Sequence, residues 1–255
     1  MNRGLFIPIV FFLLLINISI VAQTTTPNYE VKLDSVNMFD TSRNRKVPVA
    51  LYVPKTDKKI SKQKVVIFSH GYGENKGGDN LIYSYLTENL AAQGYLVASI
   101  QHELPTDSLL PTTGIPQITR RTNWERGVQN ILFVLNELKK TKPELDYKHV
   151  VLIGHSNGGD MSVLFAHKYP KSVDKIISLD NRRMSLPRAK HPNIYSLRSS
   201  DYPADEGVLP TIEEQKLYHI KIIYLPNTKH SEMDNDANEA QRKEINNYIV
   251  SFLND

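Results

Sequence analysis

The pattern of apolar and polar residues divides the chain into an early hairpin and a later series of alternating strands and helices. Residues 29–33 and 47–53 alternate apolar and polar positions, and residues 40–44 between them are turn formers. This arrangement predicts an antiparallel hairpin. Short, continuously apolar runs follow, as expected for strands covered on both faces; they lie at residues 65–68, 96–100, 150–153, 175–179, 194–197 and 220–225.

Helical patterns separate most of these apolar runs. Apolar side chains recur at three- and four-residue spacing over residues 81–93, 124–139, 157–169 and 239–253. Strands that alternate with helices form parallel βαβ units with helices on both faces of the sheet. We therefore expect a single α/β domain over residues 29–255, with a mostly parallel sheet and an N-terminal antiparallel hairpin.

The first 28 residues precede this pattern. Residues 1–3 carry a positive charge, residues 5–21 are almost wholly apolar, and Ala22 supplies a small residue before a polar linker at 23–28. This layout predicts a cleaved signal peptide over residues 1–22 and a secreted or periplasmic protein. The alternative is an uncleaved N-terminal membrane anchor, since the apolar run approaches the ~18–20 residues that span a bilayer. Contact with a membrane is expected only in that case.

Composition excludes several classes of protein. The chain has 255 residues, of which 40% are hydrophobic and 23% charged, so it can bury a core and is neither disordered nor fibrous. It contains no cysteine, which excludes disulfides, zinc-thiolate sites and a cysteine nucleophile. The net charge of +4 is spread along the chain, which argues against a nucleic-acid partner. No phosphate loop, paired-histidine metal motif or dinucleotide fingerprint is present, so neither a metal nor a cofactor is expected.

A candidate nucleophile lies where a buried strand meets a helix. The pattern G-x-S-x-G occurs at residues 154–158, with Ser156 between Gly154 and Gly158. A serine on a tight strand-to-helix turn projects its hydroxyl into a cleft, and side chains two residues before or after it would collide there. A plain glycine-serine turn is the alternative interpretation. The apolar strand before this pattern and the amphipathic helix after it favour a nucleophile.

Two segments together resemble a known superfamily. These segments are Ser-His-Gly-Tyr-Gly at residues 69–73 and the serine-bearing strand-to-helix turn at residues 154–159. They make the chain similar to the α/β-hydrolases. Within that superfamily it is similar to the dienelactone-hydrolase and platelet-activating-factor-acetylhydrolase-like esterases. The resemblance spans about residues 29–254. It implies the α/β-hydrolase fold. Because residues 181–192 form a short connection where many relatives insert a helical lid, no large lid is expected.

The resemblance also implies an oxyanion hole. An acyl-transfer enzyme needs two donors aimed at the carbonyl oxygen as it becomes negative. One is the backbone N–H after the nucleophile, at Asn157, and the other comes from the loop after an earlier strand. By resemblance this second donor is Tyr72, and Gly71 allows the close approach of the backbone. A glycine-rich turn without a catalytic role is the alternative, and His70 is interpreted as a structural residue of this loop.

Along the chain, members of the superfamily place the nucleophile first, then the acid and then the histidine, and this order indicates which residues are the acid and the base. His230 is the only histidine after the last predicted strand, so it is the expected base. Three aspartates compete for the acid. Asp201 is preferred because the family most often places the acid after the strand that precedes the histidine strand. Asp205 and Asp180 stay open as alternatives.

We therefore expect an exported serine hydrolase that cleaves small-molecule carboxylic esters through an acyl-enzyme. A peptidase or amidase on the same machinery is one alternative, and a catalytically inactive binding protein with the same fold is another. Three arginines near a predicted helix start, Arg120, Arg121 and Arg126, would suit an acidic group of a substrate. We interpret them instead as surface charge.

Overall fold

The computed structural model describes residues 28–255. The predicted signal peptide, and the predicted linker up to residue 27, lie outside the described residues. Eight strands form one sheet with the spatial order β1-β2-β4-β3-β5-β6-β7-β8. Their bounds are β1 Glu30–Asp40, β2 Arg45–Lys55, β3 Lys64–Ser69, β4 Leu96–Ile100, β5 Asp146–His155, β6 Lys175–Leu179, β7 Asn193–Arg198 and β8 Lys221–Tyr224.

The hairpin and the parallel sheet are both as predicted. β1 and β2 pair antiparallel along their whole length, from Glu30 opposite Lys55 to Asp40 opposite Arg45. β2 also pairs antiparallel with β4, and every later pair in the sheet is parallel. β3 to β7 are continuously buried over most of their residues, because helices cover both faces of the sheet.

Within residues 28–255, six α-helices accompany the strands. They are α1 Ser84–Ala92, α2 Pro116–Thr119, α3 Arg121–Thr141, α4 Ser156–Lys168, α5 Ile212–Tyr218 and α6 Glu239–Asn254. The four longer helices match predicted ones. The sequence pattern missed α2 and α5, which are short and have no fully buried residue, so they carry little apolar periodicity.

The core consists of one apolar layer on each face of the sheet. α3 and α4 cover one face, where Trp124, Ile131 and Phe165 are buried against strand residues such as Ile67 and Leu152. α1 and α6 cover the opposite face, with Leu86, Leu90, Ile245 and Ile249 in contact with the alternate strand residues. Burial on both sides holds the strands in a single register, since a slip by one residue would exchange the two faces.

The register brings four loops to one edge of the sheet. Ser69 lies opposite Gly154, and His155 lies opposite Leu179. Leu179 in turn lies opposite Leu197. The segments that follow β3, β5, β6 and β7 therefore leave the sheet side by side, which is where α/β proteins place their binding clefts.

Within residues 28–255, no helix has both the length and the apolar character needed to cross a membrane.

Candidate active site

Ser156 lies at a tight turn between β5 and α4. Its φ of 51° is in the left-handed region, which is strained for a residue with a side chain. A Cβ atom on Gly154 would lie 2.4 Å from the carbonyl oxygen of Gly158, and one on Gly158 would lie 2.3 Å from the carbonyl oxygens of Ser69 and His70. Both positions therefore exclude any side chain, as the G-x-S-x-G pattern predicts. The close contact of Gly158 with residues 69–70 also brings the loop after β3 against the start of α4.

A chain of two hydrogen bonds joins three side chains at this edge. His230 lies in the loop after β8, and its Nε2 is 2.9 Å from the Ser156 Oγ. Its Nδ1 is 2.6 Å from the Asp180 Oδ2. The imidazole thus lies between a hydroxyl and a carboxylate, with one ring nitrogen directed at each.

The carboxylate beside His230 belongs to Asp180, so the preference for Asp201 as its partner is wrong in this structure. Asp201 is exposed and accepts a hydrogen bond from the backbone N–H of His230 at 2.8 Å, on the main chain rather than on the ring. Asp205 pairs with Arg183 instead. The register explains the outcome: Asp180 follows Leu179, which is directly opposite His155, whereas Asp201 follows a strand one position further from the nucleophile.

Asp180 is held by what we call the Asp180 network: Asp180, Arg198, Ser199 and His230. The Arg198 guanidinium lies 2.9 Å from the Asp180 Oδ1, and both side chains are almost fully buried. Ser199 donates to the same carboxylate through its backbone N–H at 3.1 Å and its hydroxyl at 2.6 Å. Burial by itself would raise the pKa of Asp180, but the hydrogen bond to His230, the Arg198 charge and the Ser199 donors hold it below its ordinary value. Asp180 is therefore a stable anion at neutral pH.

A second histidine packs against the first. The His155 ring lies 4.7 Å from the His230 ring, centroid to centroid, and its Nδ1 is 2.7 Å from the Tyr83 hydroxyl. That hydroxyl also accepts a hydrogen bond from the Gly71 N–H at 3.0 Å. Burial, followed by the nearby His230, lowers the pKa of His155 to about 3. His155 therefore stays neutral and adds no positive charge beside His230.

The segments predicted to form the oxyanion hole lie beside Ser156. Tyr72 and Asn157 both line the cleft that contains Ser156 and His230. The Tyr72 hydroxyl accepts a hydrogen bond from the Leu110 N–H at 2.9 Å, which ties the loop after β3 to the loop after β4. Asn157 is in the first turn of α4, where backbone N–H groups have no partner within the helix. This position suits it to donate to a negative oxygen.

The Asn157 side chain belongs to a second buried group, which we call the Glu103 network: Glu103, Asn123, Trp124 and Asn157. The Asn157 amide donates to the Glu103 Oε1 at 3.0 Å and to the Asn123 Oδ1 at 2.9 Å, and it accepts from the Trp124 indole at 2.8 Å. The Asn123 amide also donates to the Glu103 Oε1, at 3.3 Å. All four side chains are buried. Sequence reasoning did not find Glu103, because its relation to Asn157 depends on tertiary contacts.

His70 has a structural position, as expected. It is buried, its Nδ1 is 2.5 Å from the Gly71 carbonyl oxygen, and its Nε2 accepts a hydrogen bond from the His102 N–H at 3.0 Å. Both ring nitrogens are thus committed to the backbone of the two loops. Over residues 28–255, no three His, Asp or Glu side chains come together in a way that could hold a metal ion.

The cleft at Ser156 has a volume of about 210 Å³. Besides Ser156, Asn157, His230 and Tyr72, its walls include further polar and charged side chains; these are Thr112, Arg120, Asp160, Arg182, Arg183 and Tyr202. Of the three arginines considered near the helix start, only Arg120 lines the cleft. Arg121 pairs with Glu125, and Arg126 faces Asp107.

Comparison with known proteins finds similarity to serine hydrolases. The model of a family described as serine aminopeptidase, S33, matches residues 60–179, just under half of the chain. A Drosophila melanogaster protein described as a probable serine hydrolase is 27% identical over 79 residues. That match spans 30% of this chain and 24% of the relative, so it covers about a quarter of the relative's length.

Solved structures with similar folds are esterases and related hydrolases. Esterase Est22 superposes with a TM-score of 0.60 at 13% identity, over 90% of this chain and 83% of its own. A dienelactone hydrolase-like promiscuous phosphotriesterase from metagenomic libraries gives 0.60 at 17% identity, over 88% and 98%. Esterase B from Lactobacillus rhamnosis gives 0.61 at 17% identity, over 91% and 89%. At these identities the likeness shows the fold. The sheet and these neighbours show that the chain has the α/β-hydrolase fold, and the partial family match makes it similar to proteins of the serine hydrolase and esterase type.

Proposed function

We propose that this protein is an exported serine hydrolase that cleaves carboxylic esters through an acyl-enzyme intermediate. One observation carries the proposal: Ser156, His230 and Asp180 are joined in a line by hydrogen bonds of 2.9 and 2.6 Å. A serine hydroxyl is a poor nucleophile at neutral pH until an adjacent base takes its proton. The imidazole is in place to take it, and the carboxylate orients the imidazole and stabilises its cation.

The reaction follows from these positions. Ser156 Oγ attacks the acyl carbon while its proton passes to His230 Nε2, and the carbonyl oxygen becomes negative between the N–H groups of Tyr72 and Asn157. The imidazolium then gives its proton to the departing alcohol, and an acyl-serine is left. His230 next takes a proton from water, the hydroxide attacks the acyl carbon, and the acid departs as the proton returns to Ser156. Asp180 stays ionised throughout.

Small esters are the substrates that the fold neighbours suggest. Two structures of esterase B from Lactobacillus rhamnosis carry inhibitors, one of them a tributyrin phosphonate. A cleft of about 210 Å³ has room for a small acyl or alcohol group. The matched family description, serine aminopeptidase, favours a peptidase or amidase as the second candidate.

Labelling with a fluorophosphonate probe, together with turnover of 4-nitrophenyl esters, tests the proposal. The wild type should react at Ser156, and Ser156→Ala should lose labelling and at least ~10⁴-fold in kcat. Absence of labelling in folded wild-type protein would favour the inactive binding protein. Cleavage of aminoacyl 4-nitroanilides at a higher kcat/KM than the matched esters would favour the peptidase.

Export is tested separately from activity. We propose that the mature protein begins near Gln23, because a positive start, an apolar run and a small residue precede this position. N-terminal sequencing of the protein recovered from culture medium or periplasm should find this start. An intact N-terminus in a membrane fraction would favour the anchored alternative.

A further inference from the structure

The strand β1 forms an open edge of the sheet. It is the outermost strand on its side and pairs with β2 over all 11 of its residues without a bulge. Prolines, bulges and short length are devices that keep an edge strand from pairing with another chain. β1 has none of them, and residues 35–39, Ser-Val-Asn-Met-Phe, carry no charge. This edge is therefore suited to receive a further strand.

The hydrogen bonds of β2 show which backbone groups of β1 point outward. The Pro48 carbonyl accepts from the Gln101 N–H at 2.9 Å, just after β4, so Pro48 is directed away from β1. Backbone groups alternate in direction along an antiparallel strand, so the odd-numbered residues of β2 bond to β1. Val49 lies opposite Val36, which places the even-numbered residues of β1 in these bonds. The odd-numbered residues between 31 and 39 therefore direct their N–H and C=O groups outward.

The outward backbone groups of β1 have no hydrogen-bond partner within residues 28–255. The same odd-numbered positions carry two large apolar side chains that are half exposed, Leu33 at 46% and Phe39 at 48%. They lie three residues before and three residues after Val36. Leu33 also lines a groove of about 550 Å³ between β1 and α1. A second copy paired antiparallel about Val36 would place its Phe39 directly opposite Leu33.

Charge disfavours the neighbouring symmetric registers. A register centred on Asp34 would bring the two Asp34 carboxylates opposite each other. Centring on Ser35 would place Glu30 opposite Asp40, and centring on Asn37 would place Asp34 opposite Asp40. Like charges directly opposite each other destabilise a pair of strands. The register centred on Val36 has no such pair, and it places Lys32 opposite Asp40.

We propose that two copies of this chain form a dimer through β1, antiparallel and with Val36 on the two-fold axis. Residues 33, 35, 37 and 39 of one copy then exchange backbone hydrogen bonds with residues 39, 37, 35 and 33 of the other. The two eight-stranded sheets join into one continuous sheet. Because the axis is two-fold, every contact of one copy is repeated by the other.

The geometry of this dimer leaves both active-site clefts open. β1 is antiparallel to β2, and β2 is antiparallel to β4, so β1 ends at the edge of the sheet that carries Ser156. Antiparallel pairing of two β1 strands therefore directs the two clefts to opposite edges of the joined sheet. Dimer formation should leave kcat unchanged, so the inference is independent of the proposed esterase function.

Sedimentation velocity over a range of protein concentrations should find a reversible dimer. Two double variants test the register, because Ser35 lies opposite Asn37 in it and both side chains are exposed. Ser35→Lys with Asn37→Lys opposes like charges, whereas Ser35→Lys with Asn37→Asp opposes unlike charges. The dissociation constant of the first double variant should exceed that of the second by about tenfold or more. High salt should reduce the difference.

Disulfide cross-linking locates the axis, because the chain has no cysteine of its own. Val36→Cys should give a cross-linked dimer on oxidation. The Cα atoms of such an opposed, non-hydrogen-bonded pair lie about 4.5 Å apart, within the ~4.4–6.8 Å that a disulfide spans. Leu33→Cys by itself should give none, because its two copies would lie about 20 Å apart along the strands. A mixture of Leu33→Cys and Phe39→Cys should cross-link one copy of each.

Three results would overturn the proposal. The first is a wild type that stays monomeric up to its highest soluble concentration. The second is an equal dissociation constant in the two double variants. The third is cross-linking of Leu33→Cys with itself instead of with Phe39→Cys. If a double variant fails to fold, cross-linking of Val36→Cys decides: a disulfide-linked dimer supports the interface, and its absence rejects it.

Discussion

The two buried polar networks beside Ser156 differ in charge. In the Asp180 network, a carboxylate faces a buried guanidinium, a serine and the imidazole, so each of its oxygens has a partner. In the Glu103 network, two amides share one carboxylate oxygen, and the other oxygen, Oε2, is buried without a hydrogen bond. The His70 Nε2 is 3.6 Å from that oxygen but accepts from a backbone N–H.

This difference in charge matches what each network contributes to the proposed reaction. The Asp180 network must stabilise a positive imidazole, so a fully compensated anion suits it. The Glu103 network holds Asn157, whose neutral backbone N–H is proposed to bind the developing oxyanion. The position of Asn157 therefore matters more than the negative charge of Glu103. We therefore expect charge-removing substitutions to have large effects in the first network and small ones in the second.

The largest effect is expected from Asp180→Asn. The amide keeps the shape but cannot hold the imidazole in its reactive tautomer or stabilise the imidazolium, so kcat on a 4-nitrophenyl ester should fall ~10⁴-fold. Asp201→Asn is the matched control, because Asp201 accepts a hydrogen bond from the backbone N–H of His230 and not from its ring, and its kcat should fall less than about tenfold. Equal losses in the two variants would contradict the assignment of Asp180.

Arg198→Met should have the next largest effect, on stability. Arg198 is 2% exposed and faces Asp180, so its removal leaves a buried carboxylate without its cation. Urea denaturation should give a loss of about 3 kcal/mol in the free energy of unfolding. Lys55→Met, which removes an exposed ion pair with Glu30, is the control and should change stability far less. A similar small loss in both would show that Arg198 does not stabilise the Asp180 charge.

Part of the acid sensitivity should come from His155, which packs against His230. Burial also lowers the pKa of His102, so His102 should add to it. The pKa of His155 in the folded protein, about 3, is below the ordinary 6.5, so the unfolded chain binds a proton that the folded chain does not. Its contribution to stability is complete above pH ~6.5 and is lost as the pH falls toward 3. Asp180, whose pKa is lowered from 3.8, adds a loss that begins as the pH falls through about 3.8 and continues below it.

Thermal melts between pH 7 and 4 measure this loss of stability on acidification. His155→Gln should flatten the dependence of the melting temperature on pH. His219→Asn is the control, because His219 is exposed and its left-handed conformation tolerates asparagine. An unchanged pH slope in His155→Gln would assign the acid sensitivity to other groups.

The smallest effect is expected from Glu103→Gln. The new amide oxygen can still accept from Asn157 and Asn123, so the backbone of Asn157 should keep its place and kcat should fall less than about tenfold. A loss as large as that of Asp180→Asn would mean that the negative charge on Glu103 takes part in the reaction. Measuring both variants on the same ester therefore decides whether the two networks differ as proposed.

Much of the fold was predictable from local patterns. The apolar runs from β3 to β7 and the periodicity of α1, α3, α4 and α6 reflect burial on both faces of the sheet, which leaves a direct record in the sequence. The predicted strand at residues 220–225 also forms, as β8, but it lies at the edge of the sheet and is only partly buried. The short helices α2 and α5 leave no such record. The position of Ser156 was also predictable, because the steric demands of the turn require Gly154 and Gly158 within two residues of it.

The acid could not be chosen from the sequence, since Asp180, Asp201 and Asp205 all follow strands that end at the same edge. Asp201 was preferred because the family most often places the acid after the strand that precedes the histidine strand. In the folded sheet, β6 and not β7 lies next to the nucleophile strand β5, so Asp180 at the end of β6 is the nearer carboxylate. The sequence analysis missed Arg182 and Arg183 as residues of the cleft for a similar reason. Arg182 and Arg183 are about sixty residues after Arg120 in the chain, and only the folded loops bring them together.

Local sequence patterns are enough to predict the α/β architecture, the turn at Ser156 and the position of His230 after the last strand, because these depend on residues that are close along the chain. Three other features arise only in the folded molecule: which carboxylate contacts the imidazole, how Glu103 holds Asn157, and which cations line the cleft. Those contacts join strands and loops far apart in sequence, and their geometry depends on strand order and register, which the two buried faces of the sheet impose only when the whole chain has folded.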